Sequence, residues 1–156
     1  MKVAAAFMIT VLSFVSLAMA DESDNTLRFY LSKSDLVVKG LIKTEPLGVV
    51  DEEGVPNFIC EFVVAEVAKG DSKLKEKIIH INIMRFETDK KDHHPLIKKD
   101  AECILFLKKQ SEGNTPHWVT TDFWFGIQYP SPWMMKSLTR LANEKAVKQT
   151  DAPDKK

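Results

Sequence analysis

The stretch 56-PNFICEFVVAEVA-68 is the clearest long strand in this sequence. Its alternate residues form two largely apolar faces. One face consists of Phe58, Cys60, Phe62 and Val64, and the other consists of Ile59, Val63 and Val67 together with Glu61. A two-residue period is typical of a β-strand, and two apolar faces predict a strand that is covered on both sides over part of its length. The following KGD (69–71) predicts a turn, since Gly70 adopts positive φ without steric cost.

Four other segments share this two-residue period and are predicted to be strands. They are DLVVKGLIK (35–43), EKIIHINIMRFE (76–87), AECILFLKK (101–109) and HWVTTDFWF (117–125). In the segment 76–87, Ile79, Ile81 and Ile83 are expected to point inward. Five antiparallel strands in a domain of this size close most economically into a small Greek-key barrel. We therefore predict a mainly β fold with a five-stranded OB-like barrel.

A helix is predicted at each end of the barrel segment. Ser131 is a suitable N-cap and Pro132 fits the first helical position, so a C-terminal helix is expected over 131–147. Its predicted apolar side consists of Trp133, Met134, Ser137, Leu138, Leu141 and Ala142. The segment LRFYLSK (27–33), capped by Thr26, predicts a short N-terminal helix.

The first 20 residues predict an export signal. Lys2 precedes an apolar run that ends in Ala18-Met19-Ala20, which is a small-x-small cleavage pattern. We expect cleavage after Ala20, a secreted or periplasmic protein, and no membrane attachment afterwards. The mature chain then forms one domain over 21–148, and the polar segment 149–156 is expected to be a disordered tail.

The charge of the mature chain argues against nucleic-acid binding. Lys2 is the only charged residue among the first 20, so the remaining chain has 21 basic and 22 acidic residues, a formal charge of −1. Nucleic-acid binders concentrate positive charge because their affinity comes largely from phosphate contacts.

The two cysteines, Cys60 and Cys103, allow two interpretations. In an oxidising compartment an even pair predicts one disulfide, which is the favoured interpretation. The alternative is a pair of buried, unpaired thiols in neighbouring strands, because cysteine is often a small core residue.

Three segments resemble a known family: SDLVVKGLI (34–42), FVVAEVAKGD (62–71) and AECILFLKK (101–109). They resemble small exported bacterial domains with a TIMP-like or netrin-like OB barrel, whose first strand ends V-x-G and second strand V-x-K-G. The longer pattern RFE…HHPLIKKDAECILFLK…DFWFGIQYPSPWM is similar to secreted proteins of planctomycete-type bacteria. The resemblance covers most of residues 34–135 and implies the barrel fold.

The inhibitory mechanism of animal proteins with this fold is not implied. Those inhibitors chelate a protease zinc through the amine and carbonyl of an N-terminal cysteine. The mature N-terminus here is expected to be Asp21, and both cysteines lie far from it in sequence. An inhibitor acting on an extracytoplasmic enzyme would need a different route.

The sequence gives only weak evidence for a metal site or a catalytic site. The loop 89-DKKDHHP-95 clusters Asp89, Asp92, His93 and His94, without the spacing of a known zinc motif. The acidic turn DEEG (51–54) lacks the spacing of a calcium loop. Carboxylates of Glu61, Glu66 and Glu87, with His80, would form a hydrolase site only if the fold brought two of them together. We expect no metal, no cofactor and no enzymatic activity.

The aromatic segment 121-TDFWFGIQYPSPWMM-135 carries the main functional hypothesis. Trp124, Tyr129 and Trp133 could anchor a protein partner or stack on a sugar ring. The structural alternative is a wedge, in which Trp133 pins the C-terminal helix over the barrel. We expect a non-catalytic binding module, with an inhibitor-like domain or a small carboxylate-dependent hydrolase as alternatives.

Overall fold

The computed structural model describes most of the region between the predicted signal peptide and the tail. The described residues are 24–50, 54, 56–84, 95–112, 115–122 and 125–150. The predicted signal peptide with its cleavage site lies outside them, as do residues 151–156, the cluster Asp89 to His94, Glu87 and Trp124.

The described chain contains two helices and seven strands, joined in one case by a short 3-10 turn. Residues 24–33 form helix α1. The strands are β1 (Leu36–Ile42), β2 (Leu47–Val50), β3 (Pro56–Lys69), β4 (Ile78–Met84), β5 (Glu102–Glu112), β6 (Thr115–Thr120) and β7 (Ile127–Gln128). The 3-10 turn spans Ser72–Leu74, and helix α2 spans Pro132–Thr150.

Five strands close into a barrel in the order β1-β3-β4-β6-β5 and back to β1. The β4–β6 pair is parallel, and the other four pairs are antiparallel. The prediction of an OB-like barrel with a C-terminal and an N-terminal helix is thereby confirmed. The two additional strands are short: β2 pairs with β3, and β7 pairs with β5.

The barrel interior is filled by the alternate residues that the two-residue period selects. Ile79, Ile81 and Ile83 of β4 point inward as predicted, and each is nearly inaccessible. They pack with Phe62 and Val64 of β3 in the same apolar cluster.

Strand β3 contains two irregularities that change which residues face inward. Lys39 pairs with Glu66 but Gly40 pairs with Val64, so Ala65 is an extra residue on β3; Ala68 is extra in the same way. Each bulge shifts the alternation by one position. Val67 therefore packs against the interior cluster, and its predicted place on the face of Ile59 is wrong.

Gly40 allows β1 to approach β3 closely. A Cβ atom at this position would lie 1.9 Å from the carbonyl oxygen of Val63 and 2.9 Å from the ring of Phe62. No side chain fits at such distances, so a glycine is required where the barrel closes around the ring of Phe62.

A second apolar cluster lies outside the barrel, beneath the two helices. Val37 of β1, together with Ile104 and Phe106 of β5, is completely buried there. Ala68 of β3 is also a member, and the helices contribute the other buried members: Leu27, Leu31, Met135, Leu138 and Leu141. Strands β1 and β5 are thus buried on both faces.

The predicted disulfide is wrong, because Cys60 and Cys103 are free thiols. They lie on β3 and β5, which do not pair directly, since β1 runs between them. The alternative interpretation is therefore wrong in placing the two thiols on neighbouring strands. It is right that both are unpaired and buried, since both lie in the interior cluster. Burial raises the pKa of each thiol to about 12.

Both helices differ slightly from their predicted bounds. Helix α1 includes residues 24–26, so Thr26 lies within the helix and does not cap it. The ammonium group of Lys69 donates hydrogen bonds to the carbonyls of Leu31 and Ser34, which satisfies acceptors at the end of α1. Helix α2 continues to Thr150, so residues 149–150 of the predicted tail are helical.

Candidate binding surface

The aromatic segment begins with a turn that one carboxylate organises. The Oδ1 atom of Asp122 accepts hydrogen bonds from the backbone N–H of Phe125 at 2.5 Å and of Gly126 at 3.2 Å. A Cβ atom on Gly126 would lie 2.4 Å from the carbonyl oxygen of Asp122, so only glycine fits. Strand β6 ends at Thr120, before this turn, so the predicted strand over 117–125 is too long at its C-terminal end.

Phe125 anchors the segment by packing its ring against α1 and β5. Its ring stacks on Tyr30 of α1, with centroids 3.9 Å apart and an interplanar angle of 7°. It also meets Phe106 edge-on at 5.2 Å. These contacts join α1, β5 and the turn after β6. Desolvation of the Tyr30 hydroxyl, together with the charge of Asp122 and a hydrogen bond to it, raises the pKa of Tyr30.

Tyr129 and Trp133, in contrast, are directed to solvent. Their exposed fractions are 58% and 53%. The chain between them is restrained by Pro130 and Pro132, whose φ angles are fixed by their rings. Ser131 caps α2 as predicted: its Oγ accepts from the N–H of Met134 at 3.4 Å, and its carbonyl accepts from Met135 at 3.0 Å.

Trp133 does not pin α2, so the wedge role predicted for this residue is wrong. Helix α2 is held by Met135, Leu138 and Leu141, which are almost fully buried. Consecutive helical residues point about 100° apart, and therefore Trp133, Met134 and Met135 cannot all face the same core. The packed helix buries Met135 and leaves Trp133 outside.

The other two tryptophans have different positions. Trp118 of β6 is partly buried and packs against the interior cluster. Trp124, the third predicted binding residue, lies outside the described residues. Of the predicted aromatic platform, Tyr129 and Trp133 are thus the members that the structure places at the surface.

An open groove of about 540 Å³ runs along the side of α2, beginning at Pro132. Charged side chains line much of it: Lys39, Glu66, Lys136 and Arg140. The ammonium group of Lys39 lies 3.3 Å from Glu66 and 3.2 Å from Glu102, and hydrogen bonds to Glu102 and then to Glu66 raise its pKa. Volumes of this size accommodate small ligands or a side chain of a partner.

Two of the three candidate carboxylates, those within the described residues, are engaged in ion pairs. Glu61 lies 3.6 Å from the ammonium group of Lys43, and Glu66 pairs with Lys39. His80 is exposed, and its Cα position is directly opposite Glu61 on the outer surface of β3 and β4. Among the described residues, no three histidine, cysteine or acidic side chains are grouped closely enough to hold a metal ion.

The exposed apolar residues of β2 were not predicted. Leu47 of β2 is 65% exposed and lies directly opposite Ile59 of β3. Val50 at the end of β2 is 70% exposed. The run LGVV (47–50) was the available signal, but four residues directly after Pro46 give too short a pattern to predict a strand.

Comparison with known sequences gives no relative, since no family model and no curated protein sequence matches this chain. Within the described residues, neither helix combines the length and the apolar character that a membrane span requires.

Proposed function

We propose that the protein is an exported, non-catalytic binding module that holds a protein partner through Tyr129 and Trp133. The observation that carries the proposal is that each of the two aromatic residues is more than half exposed on a segment that is otherwise well anchored. Asp122 organises the turn before them, Phe125 is packed against α1, and Ser131 caps α2.

Rigid presentation of the two aromatic side chains favours binding. Tryptophan and tyrosine are enriched among the residues that contribute most to protein interfaces, because they bury a large area with few rotatable bonds. A restrained backbone lowers the entropy that is lost on association. Lys136 and the adjoining groove supply polar contacts at the margin of the aromatic pair.

A protein partner is favoured over a carbohydrate by the surroundings of the aromatic pair. Half of the residues that line the groove starting at Pro132 are charged, and Lys39 and Arg140 are already paired with carboxylates. Such fixed charges suit the polar rim of a protein interface. The inhibitor-like activity that the family resemblance suggests would be one form of such an interaction.

Tryptophan emission provides the first test. The mature protein, residues 21–156, is compared with Trp118→Phe, Trp124→Phe and Trp133→Phe by emission maximum and iodide quenching. We expect Trp133 to contribute a red-shifted, easily quenched component that disappears in Trp133→Phe, whereas Trp118 is protected. A protected Trp133 would remove the basis of the proposal.

Binding is then tested with the immobilised mature protein and the extracytoplasmic proteins of its own cell, and in parallel with a glycan array. The double variant Tyr129→Ala/Trp133→Ala should lose the captured partner, with a reduction in affinity of at least about 30-fold for the purified partner. Phe29→Ala is the matched control, because Phe29 is equally exposed, at 55%, but lies on α1. If the double variant retains the same partner, the proposal is contradicted. If the wild type binds a glycan and the double variant does not, the partner is a sugar and not a protein.

A further inference from the structure

Strands β1 and β2 lie along the same edge of β3, one after the other. Ile42 at the end of β1 pairs with Phe62, and Leu47 at the start of β2 pairs with Ile59. The break between them is closed by two hydrogen bonds: the N–H of Lys43 donates to the carbonyl of Glu61 at 2.8 Å, and the N–H of Glu61 donates to the hydroxyl of Thr44 at 2.9 Å.

The outer edge of β1 is covered, but that of β2 is not. Strand β5 pairs with β1 and begins at Glu102, which is opposite Leu41. The chain just before β5 turns across the end of β1, where Ile42 exchanges hydrogen bonds with Ala101 and Asp100. No strand within the described ranges pairs with the outer edge of β2.

The pairing pattern identifies the backbone groups on this edge. The N–H and the carbonyl of Glu61 both point toward the side of β3 that carries β1 and β2. Residues two apart on a strand direct these groups to the same side, so Ile59 bonds Leu47, and Gly48 and Val50 direct theirs away from β3. The open edge therefore presents the N–H and C=O groups of Gly48 and Val50.

The edge is apolar, and its short length of four residues is its protection against uncontrolled pairing. Leu47 and Val50 are more than three-fifths exposed, and Ile59 beside Leu47 is 44% exposed. Natural edge strands commonly avoid association by carrying charged residues or proline, yet the four residues LGVV contain neither. An added strand would satisfy the open backbone groups and cover these side chains.

Charge around the strand indicates what kind of segment fits. From residue 43 to residue 61 the sequence has one basic residue, Lys43, and five acidic ones: Glu45, Asp51, Glu52, Glu53 and Glu61. Lys43 pairs with Glu61, so the other four acidic residues leave a net charge of −4. The run 51–53 follows Val50 directly in the sequence, and Glu45 lies two residues before Leu47, so acidic residues flank β2 on both sides in sequence. A second copy pairing antiparallel would bring the acidic flanks of the two strands together, which disfavours a dimer and favours a basic partner.

We propose that the open edge of β2 takes an extended segment of a partner protein as an additional strand, and that this segment carries basic residues beside its apolar ones. The surface is distinct from the aromatic pair, so the two proposals fail independently. Tyr129→Ala/Trp133→Ala should leave binding at β2 unchanged.

The test uses the fluorescein-labelled peptide KKVTVTVKK and the mature protein, followed by fluorescence anisotropy. The matched peptide EEVTVTVEE should bind at least about tenfold more weakly, and added salt should weaken the lysine peptide. In hydrogen exchange, the amides of Gly48 and Val50 should exchange freely in the free protein and become protected when the lysine peptide is added.

Val50→Pro removes one donor from the open edge without removing a β2–β3 hydrogen bond, because the N–H of Val50 points away from β3 and Pro56 opposite has none. We expect at least about a tenfold loss of affinity for the lysine peptide in Val50→Pro, and a loss below about threefold in the control Val50→Ala. Circular dichroism confirms that both variants fold.

Four results would overturn the proposal. They are no binding of the lysine peptide by the wild type, equal binding by Val50→Pro, equal binding of the glutamate peptide, and amides of Gly48 and Val50 that are already protected in the free protein. If sedimentation shows that the protein with protected amides is a dimer, a second copy of this chain occupies the edge of β2.

Discussion

The two sides of the barrel use similar residues for different purposes. On the covered wall, formed by β1 and β5, Ile104 points away from the barrel interior and is completely buried beneath α1 and α2. On the open wall, formed by β3 and β4 with β2 beside them, Ile59 and Ile78 also point outward and are 44% and 46% exposed. An outward isoleucine is therefore a core residue on one wall and a surface residue on the other.

This difference determines where the barrel keeps outward apolar side chains exposed. The helices convert the outer face of the covered wall into a second core, which fixes the geometry of the aromatic segment through Phe125. The open wall keeps apolar side chains in contact with water, which is unfavourable in free energy. A partner that covered these side chains would remove that unfavourable contribution. Both proposed binding surfaces lie outside the region that the helices cover.

Gly40→Ala should have the largest effect on stability. A Cβ atom 1.9 Å from the carbonyl of Val63 forces β1 and β3 apart where the covered wall meets the open wall. We expect the free energy of unfolding, measured with urea, to fall by about 3 kcal/mol or more.

Gly48→Ala is the matched control on the open wall, because the nearest atom to its Cβ would be a ring carbon of Phe58 at 3.6 Å. This substitution should change stability by less than about 1 kcal/mol. Similar losses in both variants would show that close approach of β1 is not what Gly40 provides.

Ile104→Ala and Ile59→Ala compare the walls with one residue type. Removal of the fully buried Ile104 side chain leaves a cavity beneath the helices and should lower the free energy of unfolding by about 3 kcal/mol. Removal of the half-exposed Ile59 side chain should lower it by less than about 1 kcal/mol. Equal values from urea unfolding would mean that the open wall is also covered in solution.

The sequence predicts the barrel well because apolar residues alternate along most of the length of its strands. The inward isoleucines of β4 are read directly from alternate residues. The two apolar faces of β3 predicted a strand covered on both sides, yet Ile59 on its outer face is 44% exposed, whereas the bulge residue Ala68 is buried in the cluster beneath the helices. The bulges at Ala65 and Ala68 are not read from alternate residues, since they depend on how β1 pairs with β3, and Val67 was therefore assigned to the wrong face. Strand β2 was missed because four residues beside Pro46 give too short a pattern.

The candidate site was predictable in part. Composition and the flanking prolines identify the aromatic segment, but they do not show which ring is buried. Trp133, Met134 and Met135 give the helix three adjacent apolar positions, and packing against β5 and α1 selects Met135 for the core. The state of Cys60 and Cys103 depends in the same way on strand order, because β1 separates their strands.

The smallest predicted effect comes from a network of charges on the solvent side of the helices. Glu144 of α2 accepts from Arg28 of α1 at 2.7 Å and from Arg140 at 2.8 Å, and Arg140 also reaches Asp24 at 2.6 Å. Hydrogen bonds from Arg28 and then Arg140 lower the pKa of Glu144. All four groups are partly or largely exposed, so solvent and salt screen these attractions.

Glu144→Gln tests whether these charges or the apolar cluster hold the helices on the covered wall. A carboxylate whose pKa is lowered by folding contributes fully above its unfolded pKa, and the contribution is lost as the pH falls through the folded pKa. The urea midpoint of Glu144→Gln should thus lie slightly below that of the wild type at pH 7, and the difference should shrink below the ordinary pKa of 4.5 and in 1 M salt. A loss as large as that of Ile104→Ala would assign the attachment of the helices to charge, whereas a small, salt-sensitive loss assigns it to the buried side chains of Met135, Leu138 and Leu141.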